Sequence, residues 1–339
     1  MLSTPTEQVV EFRNGQEIPP QGERKRKKNG PSAAIPHLNA ISARDFLARD
    51  IPPRQMILNP ILPECGIVML HGVRGAGKTH FALAIGVAAA SGQSFLRWKG
   101  NMPRKVLFVD GELPQSVLQS WLAEAVATAG GNHVGSNLTL ITPDMQQIGI
   151  PDLATLEGQV ALAEHVKMAD LVILDNLSSL VRSGKENEAE SWLPIQGWTL
   201  ELRRQGKTVL FVHHSGRSGD PRGTSKRDDL LDTVIKLQSP HTYRPQEGLR
   251  VEVHFTKHRH FFGKDAEPFE AALSPGAEGV PVWTIGDIQL AGYDKAVKLF
   301  AEGCDVLAVK EELGISRATA FRYRTQWRQS QQSQAGETD

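Results

Sequence analysis

The feature that most constrains the fold of this chain is a glycine-rich segment at residues 72–79, which reads Gly-Val-Arg-Gly-Ala-Gly-Lys-Thr. It fits the pattern G-x-x-x-x-G-K-[ST] at every defined position. An apolar, strand-like run at 66–71 precedes it and a helix-like run at 80–90 follows it. A loop between a strand and a helix N-terminus presents backbone N–H groups to phosphates. The segment therefore predicts a nucleotide-binding P-loop, with a chance match in a glycine-rich turn as the alternative.

Two side chains of this loop have predicted roles in binding ATP and Mg²⁺, which are the predicted cofactors. Lys78 is expected to reach the β- and γ-phosphates, and the Thr79 hydroxyl is expected to bind Mg²⁺. The predicted nucleotide-binding residues are Gly72, Val73, Arg74, Gly75, Ala76, Gly77, Lys78, Thr79 and His80.

Charge and cysteine content exclude several classes of protein. Lys and Arg total 38 and Asp and Glu total 38, so the net charge is zero and any nucleic-acid site must be local. The two cysteines, Cys65 and Cys304, suggest no disulfide framework, and we expect a cytoplasmic protein. No stretch is apolar for long enough to be a signal peptide or a membrane span, so no membrane partner is expected.

Strand-like and helix-like runs alternate after the P-loop, and this alternation predicts the fold class. Strands are predicted at 105–113, 137–141, 169–176 and 207–214, and helices at 116–128, 153–166 and 192–205. Further strands are predicted at 230–237, 249–255, 269–273 and 282–285. Such an order indicates an α/β fold with a mostly parallel sheet flanked by helices. Ligands of such sheets bind at the carboxyl ends of the strands.

Asp175 ends one of these apolar strands, which is the Walker B pattern. Its carboxylate is expected to hold Mg²⁺ opposite Thr79, and the alternative is an ordinary helix cap. The next residue is Asn176 and not Glu, so the carboxylate that activates water must come from another strand. Glu112 is the first candidate for this base and Asp110 the second, while the alternative for Glu112 is a surface loop acid.

Two histidines, His213 and His214, end the next predicted strand. An imidazole can change its hydrogen bonds when the γ-phosphate leaves, so we predict that His214 senses hydrolysis and that His213 is structural. Lys257 and Arg259, two residues apart at a later strand end, suggest an arginine finger that reaches a neighbouring subunit's nucleotide. Simple surface basicity is the alternative for this pair.

Three basic segments are candidates for contacts with DNA. The loop at 215–229 is glycine-rich and charged, and it is either a solvated linker or a contact for single-stranded DNA. The run at 23–31 is either a solvated arm or a tether to a phosphate backbone. Near the C-terminus, two short helices flank Gly314 and the second is basic, which predicts a helix-turn-helix or else a helical docking module. The predicted DNA contacts are Arg217, Arg222, Lys226, Arg227, Arg317, Arg322 and Arg324.

These observations predict four segments. They are a disordered basic arm at 1–42, an ATPase core at 43–288, a small all-α helix-turn-helix at 289–329 and a disordered tail at 330–339.

Four motifs together resemble the RecA-like ATPases and, among them, the RepA-like hexameric helicase group of plasmids and other mobile elements (the AAA_25 type). They are the P-loop, the Asp-Gly-Glu that ends at Glu112, the Leu-Asp-Asn around Asp175, and the His-His-Ser that begins at His213. The resemblance covers about residues 60–272. It implies a RecA-like P-loop core, a homo-oligomeric ring with ATP sites between subunits, and movement on single-stranded DNA. The C-terminal segment separately resembles the helix-turn-helix of resolvases.

The sequence therefore predicts an ATP-hydrolysing DNA motor, a hexameric replicative helicase of a mobile element. One alternative is an ATP-dependent DNA-binding regulator or replication loader that binds duplex DNA through the helix-turn-helix. A second is an ATP-dependent assembly protein with no nucleic-acid role.

Overall fold

The computed structural model describes residues 12–13, 16–17, 38–131, 134–183, 189–215, 229–240, 243–276 and 279–335. The chain divides into two compact units, Met1–Pro52 and Pro53–Asp339. The division falls ten residues after the predicted end of the N-terminal arm, and the three C-terminal helices share the second unit with the sheet.

The first unit contains two short strands, β1 (Phe12–Arg13) and β2 (Gln16–Glu17), which pair antiparallel. It also contains helix α1 (Ala43–Leu47), which begins after Ser42 because the Ser42 hydroxyl accepts a hydrogen bond from the Asp45 N–H. The basic run at 23–31 lies outside the described residues.

A nine-stranded sheet forms the centre of the second unit, in the order β14-β13-β12-β11-β5-β10-β9-β7-β8. Its strands are β5 (Ile67–Gly72), β7 (Val106–Asp110), β8 (Leu138–Ile141), β9 (Leu171–Asp175), β10 (Thr208–His214), β11 (Thr233–Gln238), β12 (Leu249–His258), β13 (Phe269–Pro275) and β14 (Pro281–Gly286). The strands from β11 to β8 in this order are parallel, and β12, β13 and β14 add an antiparallel extension. A small antiparallel sheet is formed by β3 (Met56–Asn59), β4 (Leu62–Pro63) and β6 (Lys99–Gly100).

Helices cover both faces of the large sheet, which explains why its central strands are almost continuously apolar. These helices are α2 (Lys78–Ser91), α3 (Gln115–Thr128), α4 (Leu156–Met168), α5 (Leu177–Leu180) and α6 (Ala189–Arg204). Three further helices, α7 (Ile288–Ala301), α8 (Val306–Leu313) and α9 (Arg317–Ala335), follow the sheet in the chain. Alternate residues of β5 face opposite layers: Leu70 packs in the layer of α2 and α3, and Met69 packs in the layer of α4, α5 and α6.

This architecture confirms the predicted α/β class, and the strand that precedes the P-loop lies inside the sheet. Two of the boundary differences have clear local causes. Helix α4 begins at Leu156 because the Thr155 hydroxyl caps it by accepting the Gly158 N–H. Strand β12 continues to His258 because it pairs with β11 along the whole of that strand.

The three C-terminal helices pack around an apolar cluster that includes Phe300, Val309, Ala320 and Tyr323. Gly314 ends α8 with φ +61°, and the Ser316 hydroxyl caps α9 by accepting the Thr319 N–H at 3.1 Å. Helix α9 runs to Ala335, so residues 330–335, which were predicted to belong to a disordered tail, are helical. No helix in the described part of the chain combines the length and apolarity needed to cross a bilayer.

Candidate functional site

The P-loop connects β5 to α2, and its backbone requires glycine at two positions. Gly75 and Gly77 have φ of +79° and +71°, a region that other residues rarely adopt. The Lys78 ammonium lies back over the loop and donates a hydrogen bond to the Val73 carbonyl oxygen at 2.8 Å. Burial lowers the pKa of Lys78 to about 8, although the nearby carboxylates of Asp175 and Glu112 oppose this shift.

Two buried carboxylates face the start of α2 from adjacent parallel strands. Asp110 at the end of β7 lies opposite Asp175 at the end of β9. Asp175 is 3% exposed, and burial raises its pKa to about 7, while a hydrogen bond from the Thr79 side chain opposes the shift. Burial likewise raises the pKa of Asp110 to about 6, and its carboxylate accepts the Leu113 N–H at 2.9 Å.

The donors at this position suit Mg²⁺, which prefers oxygen ligands. Among the described residues, Asp175 Oδ2 is buried and has no hydrogen-bond partner, and the Thr79 hydroxyl lies against the same carboxylate. The described part of the chain contains no cluster of three or more His, Cys, Asp or Glu residues able to hold a metal. The remaining Mg²⁺ ligands would therefore be phosphate oxygens and water, as is usual for this ion in nucleotide sites.

Glu112 lies two residues beyond the end of β7, and two side chains from other parts of the chain approach it. The Asn176 side-chain amide donates a hydrogen bond to Glu112 Oε2. His214 Nε2 lies 3.7 Å from the same oxygen. Burial and the positive charge of Lys78 lower the pKa of His214, which favours the neutral imidazole. His213 is buried in the sheet beside His71, so of the two histidines it is His214 that lines the site.

A cavity of about 380 Å³ joins these groups. Its lining includes Gly75, Gly77, Lys78, Thr79, His80, Asp110, Glu112, Trp121, Asp175, Asn176 and His214. Three more lining residues, Tyr243, Gly248 and Leu249, were not predicted from the sequence. Tyr243 and Gly248 come from the connection between β11 and β12, and Leu249 begins β12. No local motif marks these residues, because only the pairing of β11 with β5 brings this part of the chain beside the P-loop.

Arg259 lies on the other side of the sheet from the cavity, at the amino ends of the parallel strands. Strand β12 runs antiparallel to β11, so its last residue, His258, is level with Thr233 and with the start of β5. The Arg259 N–H donates to the Asp232 carbonyl at 3.0 Å, and its guanidinium donates to the Asp229 carbonyl. Arg259 is therefore remote from the cavity of its own chain.

The same end of the sheet contains an ion pair around the buried carboxylate of Asp232, and this ion pair anchors the segment. The Asp232 carboxylate accepts hydrogen bonds from Arg54, from the Ile67 N–H at 2.9 Å and from His260 at 3.0 Å. Hydrogen bonds from Arg54 and His260 hold the pKa of Asp232 at about 2 despite its burial.

The predicted DNA contacts fall into two groups. Arg217, Arg222, Lys226 and Arg227 lie outside the described residues. On α9, Arg317 and Arg322 are exposed, whereas Arg324 is partly buried on the side near Ala320 and Trp327. Arg328, by contrast, is exposed.

Comparison with known proteins identifies one family. The AAA_25 family model, described as "AAA domain", matches residues 32–220, which is more than half of the chain. None of the curated proteins compared matches the chain. Among solved structures, the chain is similar to a KaiC-like protein from the hyperthermophilic archaeon Pyrococcus horikoshii OT3, with 16% identity and a TM-score of 0.48. That similarity covers 68% of this chain and 99% of the other.

Proposed function

The chain belongs to the AAA-domain family, and from this premise we propose that it is an Mg²⁺-dependent ATPase that moves along single-stranded DNA as a ring of identical subunits, in the manner of a replicative helicase of a mobile element. The observation that carries the proposal is that different functional groups lie at the two ends of the parallel strands. Phosphate-binding, metal-binding and candidate catalytic groups share one cavity at the carboxyl edge. The candidate arginine finger, Arg259, lies at the amino ends of these strands, away from the cavity of its own chain.

In this mechanism Lys78 leaves the Val73 carbonyl and binds the β- and γ-phosphates, together with the N–H groups of the loop. Thr79 and Asp175 would hold Mg²⁺, which neutralises phosphate charge when bound. Glu112 accepts a proton from the attacking water. His214, next to Glu112, exchanges hydrogen bonds as the γ-phosphate leaves.

The connection between β11 and β12 forms the remaining wall of the site, and we assign it to the nucleotide base. Tyr243 lines the cavity and donates a hydrogen bond from its hydroxyl to the Gly248 carbonyl at 3.0 Å. Leu249 lies directly over Gly77. An aromatic ring and an aliphatic side chain beside a phosphate loop provide the apolar surface that a purine ring needs.

The test is an ATPase and forked-DNA unwinding assay on the full chain, with Lys78→Ala and Glu112→Gln. We expect Glu112→Gln to lower kcat by about 10²- to 10³-fold, because the amide cannot accept the proton. Glu164→Gln, on the exposed face of α4, is the matched control and should retain the wild-type rates. Two results together would contradict the proposed DNA motor: ATP hydrolysis that single-stranded DNA does not stimulate, and no strand separation by any assembled form. The proposed ATPase activity would still stand.

One observation favours a second function, a DNA-binding regulator or loader. The turn at Gly314 and Ser316 presents α9 with Arg317, Arg322 and Arg328 exposed. A basic helix after such a turn suits the major groove of duplex DNA. Arg322→Ala should weaken duplex binding by the full chain and reduce its salt dependence by about one released counterion. Arg324→Ala should change both less, and equal effects of the two variants would contradict this function.

A further inference from the structure

The Asn176 side chain connects two parts of the site. It is 3% exposed, and its Nδ2 donates a hydrogen bond to Glu112 Oε2. Its Oδ1 accepts the Ser179 N–H at 3.2 Å and so caps α5. One amide therefore uses its donor for the candidate base and its acceptor for a helix N-terminus. This division of roles is open to an amide and closed to a carboxylate, which has no donor when ionised.

The turn that carries Glu112 also packs closely against α5. The Gly111 N–H donates to the Asp175 carbonyl at 2.8 Å. A Cβ atom at Gly111 would lie 2.4 Å from Ser179 Oγ and 2.8 Å from a methyl carbon of Leu180, so a larger residue there would require these side chains of α5 to move. The backbone around Glu112 is thus fixed, but its side chain is 60% exposed and has several rotamers open to it. The hydrogen bond from Asn176 selects among them.

We propose that Asn176 is the positioning residue for Glu112 in ATP hydrolysis, an inference that rests on the proposed function because it requires Glu112 to be the base. The base lies in the turn after β7, and the group that orients it follows β9, directly after the candidate metal ligand Asp175. The hydrogen bond holds the Glu112 carboxylate near His214 and the γ-phosphate end of the cavity. A small displacement of such a group lowers the rate of the chemical step more than it changes substrate binding.

The alternative is that Asn176 only caps α5, and Asn176→Ser separates the two roles. Serine is a good N-cap, so α5 keeps its cap, but its side chain is too short to orient Glu112. We expect kcat to fall by about tenfold or more, with the KM for ATP and the thermal unfolding midpoint close to wild type. The matched control is Asn137→Ser, which removes a hydrogen bond to the Ala90 carbonyl away from the site and should leave kcat unchanged.

A double-mutant cycle with Glu112→Gln completes the test. If Asn176 acts through Glu112, the double variant Glu112→Gln/Asn176→Ser should be no slower than Glu112→Gln alone. A wild-type kcat in Asn176→Ser, or an equal loss of kcat in both backgrounds, would overturn the inference. Failure of the proposed function is seen separately, as a wild-type chain that does not hydrolyse ATP or a Glu112→Gln variant as active as wild type.

Discussion

At the scale of single residues, the site concentrates charge that folding alone would disfavour. Asp110 and Asp175 are buried side by side, and burial raises the pKa of both carboxylates. Burial also lowers the pKa of Lys78. Groups shifted in this way mark positions where function and stability conflict. Bound Mg²⁺ and phosphate would supply the missing partners.

We expect Asp175→Asn to stabilise the nucleotide-free protein by about 2 kcal/mol at pH 8, because it removes a buried charge while keeping the side-chain shape. The folded pKa, about 7, lies above the ordinary value of 3.8. The folded state therefore holds the proton more tightly, and the stability that this proton provides is complete below about pH 4 and lost as the pH rises through 7.

The stability gained through Asp175→Asn should consequently shrink towards pH 4. The substitution should also abolish ATP hydrolysis. Denaturant unfolding of both proteins between pH 4.5 and 8, without Mg²⁺, measures this. Asp294→Asn, at an exposed position, is the control and should leave the pH dependence unaltered. A gain of the same size at every pH would show that burial of the charge is not its cause.

At the scale of elements, the P-loop and the start of β12 depend on each other through one contact. Both Gly75 and Gly77 have positive φ, but their surroundings differ. A Cβ atom at Gly75 would meet nothing within 4 Å, whereas a Cβ at Gly77 would lie 2.1 Å from a methyl carbon of Leu249. Gly75 is thus favoured by its own backbone conformation alone. Gly77 is favoured also by its contact with Leu249, about 170 residues away in the sequence.

We expect Gly75→Ala to lower the free energy of unfolding by about 1 kcal/mol through backbone strain alone. Gly77→Ala should lower it by a further 1–3 kcal/mol, roughly, because Leu249 must move. Adding Leu249→Ala should restore the second loss and not the first, as denaturant unfolding without nucleotide would measure. Equal losses in the two single variants would mean that Leu249 yields without cost.

At the scale of the whole molecule, the groups at the two ends of the parallel strands suit complementary roles in an assembly. The cavity lies at the carboxyl ends of these strands, and Arg259 lies at their amino ends beside the Asp232 ion pair. The proposed contact of Arg259 with a nucleotide therefore requires another copy of the chain. This arrangement suits a closed ring with one repeated, head-to-tail interface.

We therefore expect Lys78→Ala and Arg259→Ala each to abolish ATP hydrolysis, and an equal mixture of the two to recover about a quarter of the wild-type rate. In such a mixture about one interface in four pairs an intact P-loop with an intact arginine. An arginine finger contributes about 10³- to 10⁵-fold to rate, so the recovery should be large against the background. Mixed assemblies that stay inactive, with mixing verified by differently tagged chains, would contradict catalysis across the interface.

The sequence by itself determined the P-loop, the order of strands and helices, and the acids and histidines at strand ends. These signals are local, since hydrophobic periodicity and strand ends are written in neighbouring residues. Only the tertiary structure decided that Tyr243 and Leu249 line the site, that Asn176 holds Glu112, and that Arg259 faces away from its own cavity. Each depends on which strands pair and in which direction, and pairing brings together residues whose separation in the sequence gives no sign of contact.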